Sequence, residues 1–333
     1  YDASGNPLGL LIEEGRTNRA TYSQDFTHSS WNKADVTVAP APIAAPDGTM
    51  TANHVVKTGS NGHLSKSSVG NTSDRVSVWA RTVSGTGTMY MEYLFSSASQ
   101  AVTVTEEWQR FDAQLNNVNA YVANFRGDAT LTEVYLWGAQ VEVGSFPTSY
   151  IPTSGSTVTR AKDLASLPVE RFAYNQPQGT VVAFQETFGT AGNLVPWEIH
   201  TANTNRIVYN AKSSTATIIT GGSVQASLNH ADQLPSVFYK QGLAFKKDDI
   251  ASSLDASTLT DTSGTIPTVS SFKIGTDYSL LAMLNGHIKH IQYYPKRLSN
   301  EELQLLTQPS ASPTMNLTFD GQATSTLVEG LHD

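Results

Sequence analysis

A chain of 333 residues is long enough for two domains, each with its own hydrophobic core. Only 15% of residues are charged and the net charge is −8, which argues against binding a phosphate backbone through basic side chains and does not favour anionic membrane surfaces. Cysteine is absent, so disulfides and thiolate zinc sites are excluded and stability must come from packing, to which oligomerisation can add.

No apolar run approaches the ~18–20 residues a membrane helix needs, and no signal peptide is visible. The sequence begins at Tyr1 rather than Met, and a preceding segment is therefore expected. Residues 1–20 read as a lead-in. From Val76 the text alternates, with Val76, Val78 and Ala80 on one side and Ser77, Trp79 and Arg81 on the other, the period of a strand. A turn signal at 84–87 and a second strand at Met89–Phe95 predict a hairpin with it. Further strands are expected at Ala101–Thr105, Gln109–Leu115, Ala120–Phe125 and Thr132–Val143. Many short strands without intervening helices predict an antiparallel jelly roll over residues 21–160.

Pro147, Pro152 and the small polar run at 153–157 mark the exit from this module. A second sandwich is expected over 161–307, with strands at Gly179–Phe184, Asn205–Ala211, Ala216–Thr220, Ser223–Asn229, Ser236–Lys240, Phe272–Gly275 and His287–Tyr294. Ser299 followed by Glu302 matches a capping box and predicts one short helix. Pro309 and Pro313 stop it, leaving 308–333 as a tail with one possible strand at Met315–Phe319. The fold class is thus all-β: two antiparallel β-sandwich modules in tandem and one short C-terminal helix.

No nucleophile elbow, phosphate loop or zinc-helix motif is present. The acidic doublets Glu13-Glu14, Glu106-Glu107, Asp248-Asp249 and Glu301-Glu302 are not ready-made catalytic pairs, because adjacent strand residues point to opposite faces. His287 and His290, three apart on a strand, face opposite ways and do not easily share a metal. No metal site and no cofactor are expected, although Asp47 and Asp128 sit in polar turns of the kind that can supply oxygens to a structural calcium.

The aromatics are more informative. Trp79, Tyr135 and Trp137 lie opposite the apolar residues of their strands, and Tyr90 accompanies Glu92. An antiparallel sandwich normally turns one face to water, so a second apolar face needs a cover. Trp79, Tyr90, Tyr135 and Trp137, with Arg81, Glu92 and Glu133 as polar neighbours, are the candidate glycan-binding residues: ring faces suit sugar C–H groups and polar side chains suit hydroxyls. The plainer alternative is that these rings fill the sandwich or an interface between subunits.

Gly9–Asn18 and Gly144–Thr153 resemble phrases that recur in tailed-bacteriophage virion proteins, where they bracket a module similar to carbohydrate-binding jelly rolls. The run from Leu284 to Leu303 resembles the closing strand and helix of a concanavalin/laminin-G-like module. The resemblance implies a tail fibre or spike, or head fibre: a virion surface component made in the host cytoplasm, commonly a homotrimer, that attaches to bacterial surface glycan and contacts other virion proteins. It supplies no catalytic residues. Neither nucleic-acid binding nor membrane insertion is expected. A purely structural capsid-decoration or tail-assembly protein is the alternative, and a polysaccharide depolymerase the second.

Overall fold

A computed structural model describes residues 6–92, 100–189 and 192–309. Every strand pairing is antiparallel, and Asn300–Leu306 is the one α-helix among these residues. The architecture is nearly all-β, as the strand periodicity predicts.

The first sandwich packs two 5-stranded sheets. One runs Gln109–Gln114, Asp74–Arg81, Glu133–Val143, Asn53–Lys57, Val36–Pro40; the other runs Asn32–Ala34, His63–Lys66, Ala120–Asn124, Gly87–Met91, Gln100–Val104. Their inner faces meet in one core: Val76, Val78, Val134 and Leu136 come from the first sheet, Leu64, Met89, Met91 and Val122 from the second. Each such buried side chain contributes roughly 1.5–3 kcal/mol relative to exposure.

That shared core corrects the expected hairpin. Asp74–Arg81 pairs with Gln109–Gln114 and Glu133–Val143, whereas Gly87–Met91 pairs with Ala120–Asn124 and Gln100–Val104. The chain crosses between sheets after Arg81 because both apolar rows, Val76/Val78/Ala80 and Met89/Met91, must face the same interior. Tyr93 to Phe95, the end of the expected strand, lie outside the described residues, as does Met315–Phe319.

The long strand Glu133–Val143 keeps its apolar side chains inward by means of a bulge. Its register against Asp74–Arg81 slips by one residue between Trp137 and Gln140, and Gly138 takes φ +65° there. Val134 and Leu136 point inward before the bulge, Ala139 and Val141 after it. Glycine suits this left-handed turn, and a Cβ would lie 3.3 Å from Trp79 Cδ1.

The second sandwich packs two 6-stranded sheets. Gly286–Tyr294, Gln178–Gln185, Tyr239–Lys246, Asp249–Leu254 and Ser257–Asp261 form one with Leu10–Ile12 at its edge; Ala165–Pro168, Ser271–Ile274, Trp197–Ala202, Asn205–Asn210, Thr215–Thr220 and Ser223–Asn229 form the other. Val181, Leu243 and Phe245 meet Trp197, Ile207, Tyr209 and Phe272 between them. The strand expected at Ser236–Lys240 begins instead at Tyr239 and runs to Lys246. Ser299 caps the helix, its hydroxyl accepting the Glu302 N–H at 3.1 Å while Glu302 accepts the Ser299 N–H at 2.7 Å. Leu303 then packs on Val182, Ala244 and Ala251, on the outer side of that sheet.

The two phrases singled out in the sequence form the seam between the sandwiches. Leu10–Ile12 pairs with Gly286–Ile288 of the second sandwich, and Arg16–Asn18 pairs with Val158–Arg160. Glu13, buried at the crossing, accepts the Ser149 N–H at 2.8 Å and pairs with Arg160 at 3.2 Å. Asn18 donates to the carbonyls of Ala139 and Ile151 and accepts from Val141 N, and Phe146 lies 5.8 Å from Phe188. Buried polar groups need partners; Glu13, Arg16 and Asn18 of the first stretch and Thr148 and Thr153 of the second supply them.

Candidate functional site

The outer face of the sheet centred on Asp74–Arg81 and Glu133–Val143 carries most of the aromatic candidates. Cross-strand register places Trp137 opposite Trp79, and Tyr135 opposite Arg81 on one side and His54 on the other. Arg110 stands opposite Trp79 on the next strand. Alternation puts all of these away from the core.

The segment 41–52 folds over part of this face. Ala41 N–H bonds the Ala52 carbonyl at 2.8 Å, and the Asp47 carboxylate accepts from the Thr49 N–H and hydroxyl, closing the turn. Asp47, one of the possible calcium ligands, is thus occupied with turn geometry. Ala41, Ala45 and Ala52 bury Trp137, whose indole N–H donates to the Thr51 hydroxyl at 2.9 Å. Tyr150, folding back from the seam, stacks obliquely on Trp137 at 4.6 Å and bonds the Ser23 hydroxyl at 2.5 Å; burial pushes its hydroxyl up to about 12. Trp137 is only 4% exposed. It lies covered on the same face and cannot present a ring to a ligand.

What stays half-exposed is Trp79, Arg81, Trp108, Glu133 and Tyr135, with Ile43 and His54 beside them. Tyr135 sits 5.0 Å from the His54 ring, and His54 Nε2 is 2.8 Å from Glu133 Oε2. The Trp79 Nε1–H and Arg81 Nε–H are covered and find no acceptor among the described residues. An ordered water or a bound acceptor is what normally satisfies such donors. Trp108 anchors its indole N–H on the Ala44 carbonyl at 3.0 Å and leaves part of its ring at the surface. Its place directly after Glu106-Glu107, just ahead of the strand Gln109–Gln114, was the available sequence signal.

Tyr90 and Glu92 are not part of this face. Tyr90 is half-exposed on the opposite sheet, pairing with Asn124 and Ala101. Glu92 follows at φ +66°, fully buried, its carboxylate accepting from Tyr121 N at 3.0 Å and Asn116 N at 3.3 Å. Burial pushes its carboxyl up to about 7 against those two donors. Glu92 fastens the chain turn to the neighbouring strand. The sequence alternation that set it beside Tyr90 ends where the strand ends, at Met91.

No group of His, Asp and Glu among the described residues is arranged to hold a metal ion. His287 bonds Glu186 at 2.8 Å, and His290 neighbours Phe184 at 5.7 Å.

The fold and this face define a two-sandwich β protein with a half-open aromatic surface. No protein-family model matches the chain, and no curated protein matches it. Among solved structures the chain is similar to the CBM40 module of the Ruminococcus gnavus IT-sialidase bound to α2,3-sialyllactose, at 17% identity over 40% of this chain and 84% of that one, with a TM-score of 0.35. It is also similar to domain 4 of AbnA, an extracellular GH43 arabinanase of Geobacillus stearothermophilus in complex with arabinotriose (9% identity, 50% and 84% covered, TM-score 0.38). A third similar structure is CG-16, a homodimeric agglutinin from chicken liver (10% identity, 39% and 100% covered, TM-score 0.27).

Proposed function

We propose that this chain is a non-catalytic virion surface protein of fibre or spike type that attaches a phage to bacterial surface polysaccharide. The observation that carries the glycan-binding part is the half-exposed row of Trp79, Trp108 and Tyr135, flanked by Arg81 and the His54–Glu133 pair. Flat ring faces take the C–H side of a sugar, and guanidinium, imidazole and carboxylate take its hydroxyls. A glycosidase needs two carboxylates across one bond; the half-exposed carboxylates of this face, Glu133 and Asp112, are held by His54 and Arg75. Shallow sites of this kind bind weakly singly, and a trimer carried in many copies gains avidity without a deeper pocket. The virion setting rests on the resemblance of the two seam phrases.

The test is binding of the intact chain to an array of bacterial polysaccharides, comparing wild type with Trp79→Ala and Tyr135→Ala. Loss of binding in both, with unfolding temperature held, is the expected result. Unchanged binding overturns the site. A stable oligomer in which these rings are shielded from solvent, with no glycan bound, favours the assembly reading instead.

A further inference from the structure

The second sandwich carries a separate recess on the outer face of its Asn205–Asn210 sheet. Ile207 and Tyr209 point into the core, so Arg206, Val208 and Asn210 point out. On the neighbouring strand Ala216 and Ile218 point in, and Thr217 stands opposite Val208 on the outside. The turn at 277–282 closes over this face. Asp277 shapes that turn by accepting from the Ser279 hydroxyl, Leu281 N–H and Ala282 N–H. The Tyr278 N–H then ties it to Glu198 at 3.0 Å, and Ala282 joins Val195 and Val208 in a small buried apolar floor. A recess of about 200 Å³ remains between turn and sheet, with Arg206, Asn193, Thr217 and Asp277 in its walls.

Several of these polar groups have capacity left. Arg206 reaches Glu198 at 3.4 Å through Nη1 and lies 5.3 Å over the Tyr278 ring, while its Nε–H has no acceptor among the described residues. The Asn193 carbonyl oxygen accepts from Asn210 at 2.8 Å, leaving its amide N–H groups to donate. The Thr217 hydroxyl enters no hydrogen bond among the described residues. The walls thus combine donors (Arg206, Asn193), an acceptor (Asp277) and a group that does both (Thr217) around an apolar floor. A simple anion would face Asp277 and a simple cation Arg206. Hydroxyls, which donate and accept at once, match both.

We propose that this recess binds a single pyranose-sized sugar residue, independently of the aromatic face on the first sandwich. The probe is a panel of methyl pyranosides (glucoside, galactoside, mannoside, N-acetylglucosaminide) presented to the intact chain, read by saturation-transfer NMR. At least one member is expected to receive saturation, and Thr217→Val and Arg206→Met are each expected to weaken it about tenfold. Thr217→Val keeps the branched shape a strand favours, so it carries the test if Arg206→Met fails to fold. The comparison is repeated in a Tyr135→Ala background, which disables the aromatic face, and there the effect of Thr217→Val is expected to persist. The proposal is overturned if no pyranoside is saturated, if Thr217→Val binds like wild type, or if Tyr135→Ala alone removes the signal.

Discussion

The Trp137 indole donates its N–H to the Thr51 hydroxyl at 2.9 Å, across 86 residues of sequence. This bond fixes the 41–52 segment as a roof over the buried indole of the aromatic face. It separates rings that support the surface from rings that form it.

Trp137→Ala is accordingly expected to destabilise the fold, by about 3–5 kcal/mol for an aromatic deleted from a packed site. Denaturant unfolding measures this. Trp79→Ala and Tyr135→Ala, at half-exposed positions, are expected to cost clearly less. A Trp137→Ala protein as stable as wild type would show that the roof does not depend on the ring beneath it.

The seam has its own test. Glu13 is 3% exposed and holds both Ser149 N–H and Arg160. Glu13→Ala leaves that partly buried N–H and the Arg160 guanidinium without their partner and is expected to cost about 2–3 kcal/mol. It is also expected to speed proteolysis in the exposed 154–157 stretch, which mass spectrometry of the fragments would locate. Cleavage elsewhere, with 154–157 intact, contradicts the seam.

Burial pushes the Glu198 carboxyl up to about 7, against the opposing pull of Arg206 and the Tyr278 N–H, and does the same to Glu92. The folded chain therefore holds these protons more tightly than the unfolded one. Their contribution to stability is complete below the unfolded value near 4.5 and is lost as pH rises through about 7. The unfolding temperature is expected to be lower at pH 8 than at pH 5. Glu198→Gln keeps an acceptor for Tyr278 and removes the titration, flattening the profile by about 3 kcal/mol at most. A profile that rises over this range, or one that Glu198→Gln leaves as steep, is the contrary result.

Ser299→Ala removes half of the capping box and is expected to cost about 1 kcal/mol. Because Leu303 packs on Val182, Ala244 and Ala251, amide exchange at those strand positions should quicken with it. Exchange unchanged there would mean that the helix docks without its cap.

Local periodicity carried the strands well. The inward rows Val76/Val78/Ala80 and Val134/Leu136, and the capped helix after Ser299, were all legible, because alternation and capping are decided by neighbours a few residues apart. The outward placement of Trp79, Arg81, Glu133, Tyr135 and Trp137 on adjacent strands followed from the same alternation. Sheet membership did not. Strands at 74–81 and 87–91, next to each other in the chain, belong to opposite sheets, which moved Tyr90 and Glu92 away from the other candidates.

Burial of Trp137 needed the 41–52 segment, and the recess beside Arg206 needed a turn 80 residues beyond Glu198. The sequence alone determined which side chains the regular strands turn inward and which outward, up to breaks such as the bulge at Gly138. Only the tertiary structure decided which outward side chains meet water, because long-range loops, whose docking leaves no local periodicity, cover some and spare others.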